Sequence, residues 1–195
     1  MTPLPTLGTE RLVLRASEPS LAPAAAAFYA RNRTAHARWN PPQADTMFTV
    51  EGQRERLAST AAAIEAGTII GWWLFARAEP SCAIGQVHLS QISRGPFHSA
   101  LLGYAIDHEH EGRGLMHEAL EAVLADAFGP RVALHRVQAN VRPENARSLR
   151  LLERLGFERE GLAREYLFID GAWRDHVLTA KINPRWPAEQ APALG

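Results

Sequence analysis

Between Leu101 and Phe128 the hydrophobic positions change their period. Leu101 to Ile106 is a short apolar run that reads as a strand. After a polar stretch, Met116, Leu120, Val123, Leu124 and Ala127 recur at the 3.6-residue spacing of a helix with one apolar face, and Gly129-Pro130 stops it. The junction, Glu111 to Met116, is therefore a strand, a glycine-bearing turn and a helix N-terminus. Upstream, Arg11 to Arg15 alternates as a first strand. Alanine-rich residues from about Leu21 to Asn32 form a helix, broken by Trp39-Asn40-Pro41-Pro42 because proline cannot continue one. A second helix covers about Val50 to Ala66 and ends at Gly67. Strands follow at Ile69–Ala76 and Ala83–Ser90, the latter with a possible bulge at Gly85. Their short connections make them antiparallel.

Downstream, His135 to Val141 alternates as a strand. Asn145 is placed to cap a helix whose face is Leu149, Leu152 and Leu155 and whose stop is Gly156. Tyr166–Ile169 and Trp173–Ile182 make a hairpin about Asp170-Gly171. Residues 1–8 and 183–195 are expected to be peripheral arms of a single domain, 1–195, of mixed α+β class. No internal repeat is visible.

Composition narrows the function classes. A chain of 195 residues with 46% hydrophobic content builds one ordinary core. Formal net charge is zero, which gives no bulk argument for nucleic acid or an anionic membrane. The single cysteine, Cys82, rules out an internal disulfide framework and fits a reducing compartment. With no long apolar run and no leader pattern, a soluble cytoplasmic protein is expected. His108 and His110 lack further ligand spacing, so they read as polar surface and no metal is expected.

The junction carries the chemistry. A glycine turn at a helix N-terminus aims several backbone N–H groups at one anion, and the helix dipole adds positive potential there. A phosphate-bearing cofactor is the natural occupant. A P-loop is excluded because no Gly-x-x-x-x-Gly-Lys-Ser/Thr run exists. A dinucleotide fingerprint is excluded because His117 stands where its third glycine would be.

Glu111-Gly112-Arg113-Gly114-Leu115-Met116 resembles the pyrophosphate motif Gln/Arg-x-x-Gly-x-Gly/Ala of the GNAT superfamily of acyl-CoA N-acyltransferases, departing from it at Glu111 and Met116. Gly112-Arg113-Gly114 with Glu118-Ala119 is similar to the branch of ribosomal-protein N-terminal acetyltransferases. So are Thr9 to Arg15, Asn145-x-x-Ser148 with Gly156-Phe157, and Gly171-x-Trp173-x-Asp175. The four matches stand in order from about Thr9 to Ile182.

The resemblance implies a mostly antiparallel sheet, splayed between the strand at Ile106 and the strand at Val137–Val141, and flanked by helices. Acetyl-CoA would lie in the splay. Its pyrophosphate would meet Glu111, Gly112, Arg113, Gly114, Leu115 and Met116, its thioester the N–H groups near Ile106, and its pantetheine Asn145. Leu152 occupies a position that holds a proton-donating tyrosine in many members, and Ser148 is the replacement donor of this branch. Glu165 is the first candidate for the base, then Asp175 and His88. Trp39 is a candidate substrate-facing aromatic. The expected acceptor is an amine, a protein N-terminus first, with a polyamine or aminoglycoside as the alternative. A non-catalytic acyl-CoA sensor is the second class. Nucleic acid and membrane are not expected partners, and a monomer or homodimer is expected.

Overall fold

The computed structural model describes residues 4–186. Eight strands form one sheet: β1 (Leu7–Gly8), β2 (Leu12–Ala16), β3 (Ile70–Ala76), β4 (Glu79–Ser93), β5 (Ser99–Ile106), β6 (Arg136–Val141), β7 (Glu158–Ile169) and β8 (Ala172–Ile182). Their order is β1-β2-β3-β4-β5-β6-β8-β7. Every pairing is antiparallel except β5–β6. The four α-helices are α1 (Ala22–Ala37), α2 (Val50–Glu65), α3 (Leu115–Phe128) and α4 (Ala146–Arg154). This is the expected mixed architecture.

Alternation along β3 shows how the layers are built. Ile70 to Phe75 are all buried because helices cover both faces of this strand. Trp72 and Leu74 pack with Leu120, Val123 and Leu124 of α3. Trp73 and Phe75 point the other way, onto Phe28 and Tyr29 of α1 and Leu57 of α2. The five residues that the helical spacing singled out in α3 are all buried. That helix makes the crossover which lets β6 run parallel to β5.

The parallel pairing is short. Only Ser99, Ala100 and Leu101 of β5 pair with β6, opposite Arg136, Val137 and Gln138. Beyond Leu101 the strands part, while β5 stays paired to β4 as far as Ile106. The sheet therefore opens at Leu102–Ile106, where the splay was expected. The bulge in β4 lies one residue before the expected Gly85: Leu74 pairs with Gly85 and Phe75 with Ala83, leaving Ile84 as the extra residue.

Several extents differ from the sequence reading. Helix α1 runs on to Ala37, because the proline break lies at Pro41 and nothing before it interrupts the turn pattern. Strand β7 begins at Glu158, not Tyr166, and carries Glu, Arg and Gly residues on an exposed edge. Residues 4–8 are tied down. Leu4 and Leu7 pack on the core, Trp72 Nε1 donates to the Pro5 carbonyl (2.9 Å), and Leu7 pairs with Leu14. At the other end Asn183 is buried and donates to the carbonyls of Leu134 and Phe128, and the Trp186 ring meets His98 and His135. The remainder of the two expected arms, 1–3 and 187–195, lies outside the described residues.

Candidate active site

The turn between β5 and α3 is built for an anion. Gly112 (φ +75°) and Gly114 (φ +76°) sit in the left-handed region that an L side chain rarely adopts. Gly114 is the N-cap of α3 and offers no side-chain cap, so the N–H groups of the first helical turn are left for a ligand. A Cβ at Gly112 would meet nothing within 4 Å, and one at Gly114 only Arg11 Nη2 at 3.5 Å. The space above the turn is open. Leu115 and Met116 are core residues, so they offer an anion only their backbone. These features fit a pyrophosphate cradle.

The turn is braced from the other end of the chain. Glu118, in the first turn of α3, accepts from Thr9 Oγ1 (2.5 Å), Arg11 N–H (2.8 Å) and Arg11 Nε (2.6 Å). Arg11 Nη1 also donates to the carbonyl of Arg113 (2.9 Å). Burial works against the charge on Glu118, but the bonds from Thr9 and Arg11 outweigh it and hold the carboxyl below its usual range. Thr9, Arg11 and Glu118 stand out in the sequence only as motif letters; here they form one bracket. The Arg113 side chain is exposed. The Glu111 carboxylate pairs with Arg147 at the start of α4, so Glu111 joins the turn to the helix across from it.

The turn is also keyed to α1. Asp107, fully buried, accepts from Arg31 Nε (2.7 Å) and the Glu109 N–H (3.0 Å). Burial opposes its charge, and these bonds more than offset that, holding its carboxyl down. His36 Nε2 lies 2.9 Å from the carbonyl of Ile106. Burial lowers the His36 pKa, so the ring is neutral near pH 7 and donates Nε2–H to that carbonyl. Two residues on, the carbonyl of Arg38 accepts from Arg142 Nη1 (2.5 Å) at the end of β6. The C-terminus of α1 thus straddles the open end of the splay, with one bond to each wall. Trp39 stands there, its ring 4.4 Å from the guanidinium of Arg38 and 5.5 Å from that of Arg142. Its place beside the mouth suits a substrate-facing aromatic.

Ile106 is the last residue of β5. The next N–H, of Asp107, donates back to the Ile84 carbonyl of β4 (2.8 Å). Strand alternation then turns the N–H of Ile106 toward the splay, where β6 no longer pairs. Among the described residues that donor has no strand partner at the end of the gap.

On the facing wall, Asn145 caps α4 by accepting from the Ser148 N–H (3.1 Å). Its amide nitrogen is the part left to donate. Ser148 Oγ shares a hydrogen bond of 2.5 Å with Tyr104 Oη of β5. Burial pushes the Tyr104 phenol up to about 12, the serine contact opposing it. Tyr104 was not legible as a site residue, since it lies 44 residues from its partner. Leu152, on the same helix, is packed in the core at 1% exposure.

Of the expected bases, Glu165 is exposed at a bulge in β7, where residues 164–166 stand opposite Asp175 alone. Its backbone is left-handed (φ +47°), and its N–H donates to Asp175 Oδ1 (2.9 Å). The adjoining Tyr166 Oη accepts from Asn140 Nδ2 of β6 (2.8 Å), reaching past β8, which lies between the two strands. Backbone strain of this kind gathers at functional sites. Asp175 is occupied with holding Glu165. His88 lies over Gly103, so a Cβ there would have to displace its ring. Burial, helped by Arg56, lowers its pKa. Among the described residues no group of three or more His, Cys, Asp or Glu is placed to hold a metal ion.

Comparison with known proteins places this geometry. Residues 11–158 match the family described as Acetyltransferase (GNAT) domain. The chain is 41% identical over 181 residues, 92% of each chain, to the [Ribosomal protein uS5]-alanine N-acetyltransferase of Escherichia coli K12. It superposes with a TM-score of 0.88 and 36% identity on the ribosomal-protein-S5-alanine acetyltransferase of Vibrio fischeri, covering 94% of this chain and 99% of that one. RimJ of Mycobacterium smegmatis, in complex with CoA-disulfide, superposes with a TM-score of 0.83 at 29% identity, over 90% and 84% of the two chains.

Proposed function

The chain belongs to the GNAT acetyltransferase family, and from that membership we propose that it acetylates the N-terminal α-amino group of a ribosomal protein of the uS5 type. It is an acetyl-CoA-dependent N-acetyltransferase. The observation that carries the reading is the splay itself: β5 and β6 part after Leu101, and the chain that leaves β5 leads into a helix N-terminus with no side-chain cap.

Bound acetyl-CoA supplies the acetyl group and a thiolate leaving group. Gly112 to Met116 hold the pyrophosphate through backbone N–H groups, and the amide nitrogen of Asn145 donates to the pantetheine arm. The Ile106 N–H polarises the acetyl carbonyl by hydrogen bonding to its oxygen. His36 holds the next peptide along in place through the Ile106 carbonyl. The Ser148 hydroxyl donates to the departing sulfur. Glu165 takes the ammonium proton through water from the exposed bulge in β7. An α-amino group, with a pKa of about 7.7–8.0, needs far less help than a lysine at about 10.4. Trp39 contacts the acceptor at the mouth. Kinship with a ribosomal-protein modifier supports the cytoplasm as its place of work.

The test is an acceptor panel. kcat/KM for a uS5-type peptide beginning with alanine should exceed that for the same peptide with a blocked α-amine, for polyamines and for aminoglycosides. A polyamine or aminoglycoside turned over faster than the free peptide would overturn the proposed acceptor.

A further inference from the structure

Tyr104 reaches from the open strand β5 to α4 and ends on Ser148 Oγ, 2.5 Å away. Its backbone lies two residues before Ile106, on the same face of β5, so the phenol lines the wall that ends at the Ile106 N–H. The ring is partly buried against the core beneath α3 and α4. Among the described residues Ser148 Oγ is the one hydrogen-bond partner of Tyr104 Oη, and the reverse also holds. The Ser148 backbone is fixed separately, through its N–H, by Asn145. Among the described residues the hydroxyl is therefore oriented by Tyr104 alone.

From this placement we infer that Tyr104 is a positioning residue for acetyl transfer: its phenol donates to Ser148 Oγ and leaves the serine proton aimed at the sulfur in the groove. The inference rests on the donor role proposed for Ser148. A serine O–H has one hydrogen and a free rotor. With Tyr104 donating to the oxygen, the rotor loses the orientation that would spend its hydrogen on the phenol. The phenol stays protonated across the working pH range, burial having raised its pKa to about 12, so it keeps the proton it donates. As the C–S bond breaks, its electron pair collects on sulfur, and the Ser148 hydroxyl hydrogen bonds to that charge. Tyr104 strengthens the bond by polarising the serine oxygen from behind. Tyr104 loses no proton, and solvent supplies the one that completes the thiol.

Tyr104→Phe keeps the ring and its packing and removes only the hydroxyl. It is compared with Ser148→Ala and with the double variant. Tyr104→Phe should lower kcat by about tenfold, less than the roughly 10²–10³-fold expected when the Ser148 donor to the developing charge is removed. KM for acetyl-CoA should stay near the wild-type value, and the double variant should be no slower than Ser148→Ala alone. A second readout needs no turnover: the thiol of bound CoA, titrated by its ultraviolet thiolate absorbance, should have a higher pKa in Tyr104→Phe than in wild type. Independent, multiplicative losses in the double variant would overturn the inference. So would a Tyr104→Phe defect larger than that of Ser148→Ala, which would make the phenol itself the donor. A normal kcat and thiol pKa in Tyr104→Phe alone sinks Tyr104 and leaves Ser148 standing. A normal Ser148→Ala removes the serine reading beneath it.

Discussion

Glu118→Ala removes the bracket that ties the N-terminal segment to the phosphate turn. Three bonds are lost, from Thr9 Oγ1, Arg11 N–H and Arg11 Nε. Hydrogen bonds to charged groups contribute about 1.5–3 kcal/mol each when shielded. The Arg11 side chain is 48% exposed, so its ion pair is worth a surface value of roughly 0.2–1 kcal/mol. The other two bonds are reached in part by water, and the whole cost is about 2–3 kcal/mol on those grounds. For a chain of this size that lowers Tm by about 4–12 °C. The carboxyl is held below its unfolded value, so its contribution is present above about pH 4.3 and is lost as pH falls through the folded value. Thermal melts of wild type and Glu118→Ala should therefore differ at pH 7 and converge in acid. KM for acetyl-CoA should rise, because the Arg113 carbonyl loses its oriented partner. Glu121→Ala, a 64% exposed carboxylate one turn along, is the control and should change little. Equal melts at pH 7, or a gap that widens in acid, would refute the bracket.

Acetyl-CoA at about a hundred times its Kd should stabilise the chain by roughly 2.7 kcal/mol in a thermal melt, and ATP or NAD far less. Gly114→Glu should abolish that gain. The left-handed backbone costs the variant about 1–2 kcal/mol, and the carboxylate occupies the anion's place, so a folded variant that still binds normally would put the phosphate elsewhere. Ser148→Ala should leave Tm and acetyl-CoA affinity nearly unchanged, and a kcat that falls in step with stability would mean that the serine only holds the helix. Glu165→Gln should move the pH–rate profile toward higher pH, where the amine deprotonates unaided, and an unshifted profile would remove Glu165 as base.

What could be read from the sequence depended on how local the cause was. The burial of α3 was visible because Met116, Leu120, Val123, Leu124 and Ala127 express a period of their own. The turn was visible because Gly112 and Gly114 answer to local backbone needs. The first half of β7 carries no such signal. Glu158 to Gly161 are exposed and held by backbone pairing to β8, which leaves the choice of side chain free. The links that assemble the site were invisible for the opposite reason. Thr9 and Arg11 meet Glu118 across more than a hundred residues, Arg31 meets Asp107 across 76, and Tyr104 meets Ser148 across 44. Each is an ordinary polar residue until the sheet brings its partner to it. The role of α1 as a strut across the splay, through His36 and the carbonyl of Arg38, likewise needs both walls in view.

The most direct test of the account is where the acetyl group goes. The chain is mixed with acetyl-CoA and an alanine-initiated uS5-type peptide that also contains an internal lysine. Released CoA is counted, and the modified nitrogen is located by tandem mass spectrometry. The account predicts one CoA released for each peptide acetylated, with the acetyl group on the α-nitrogen and the lysine untouched. Acetyl-CoA bound but not consumed, or an acetyl group found on the lysine, would contradict it.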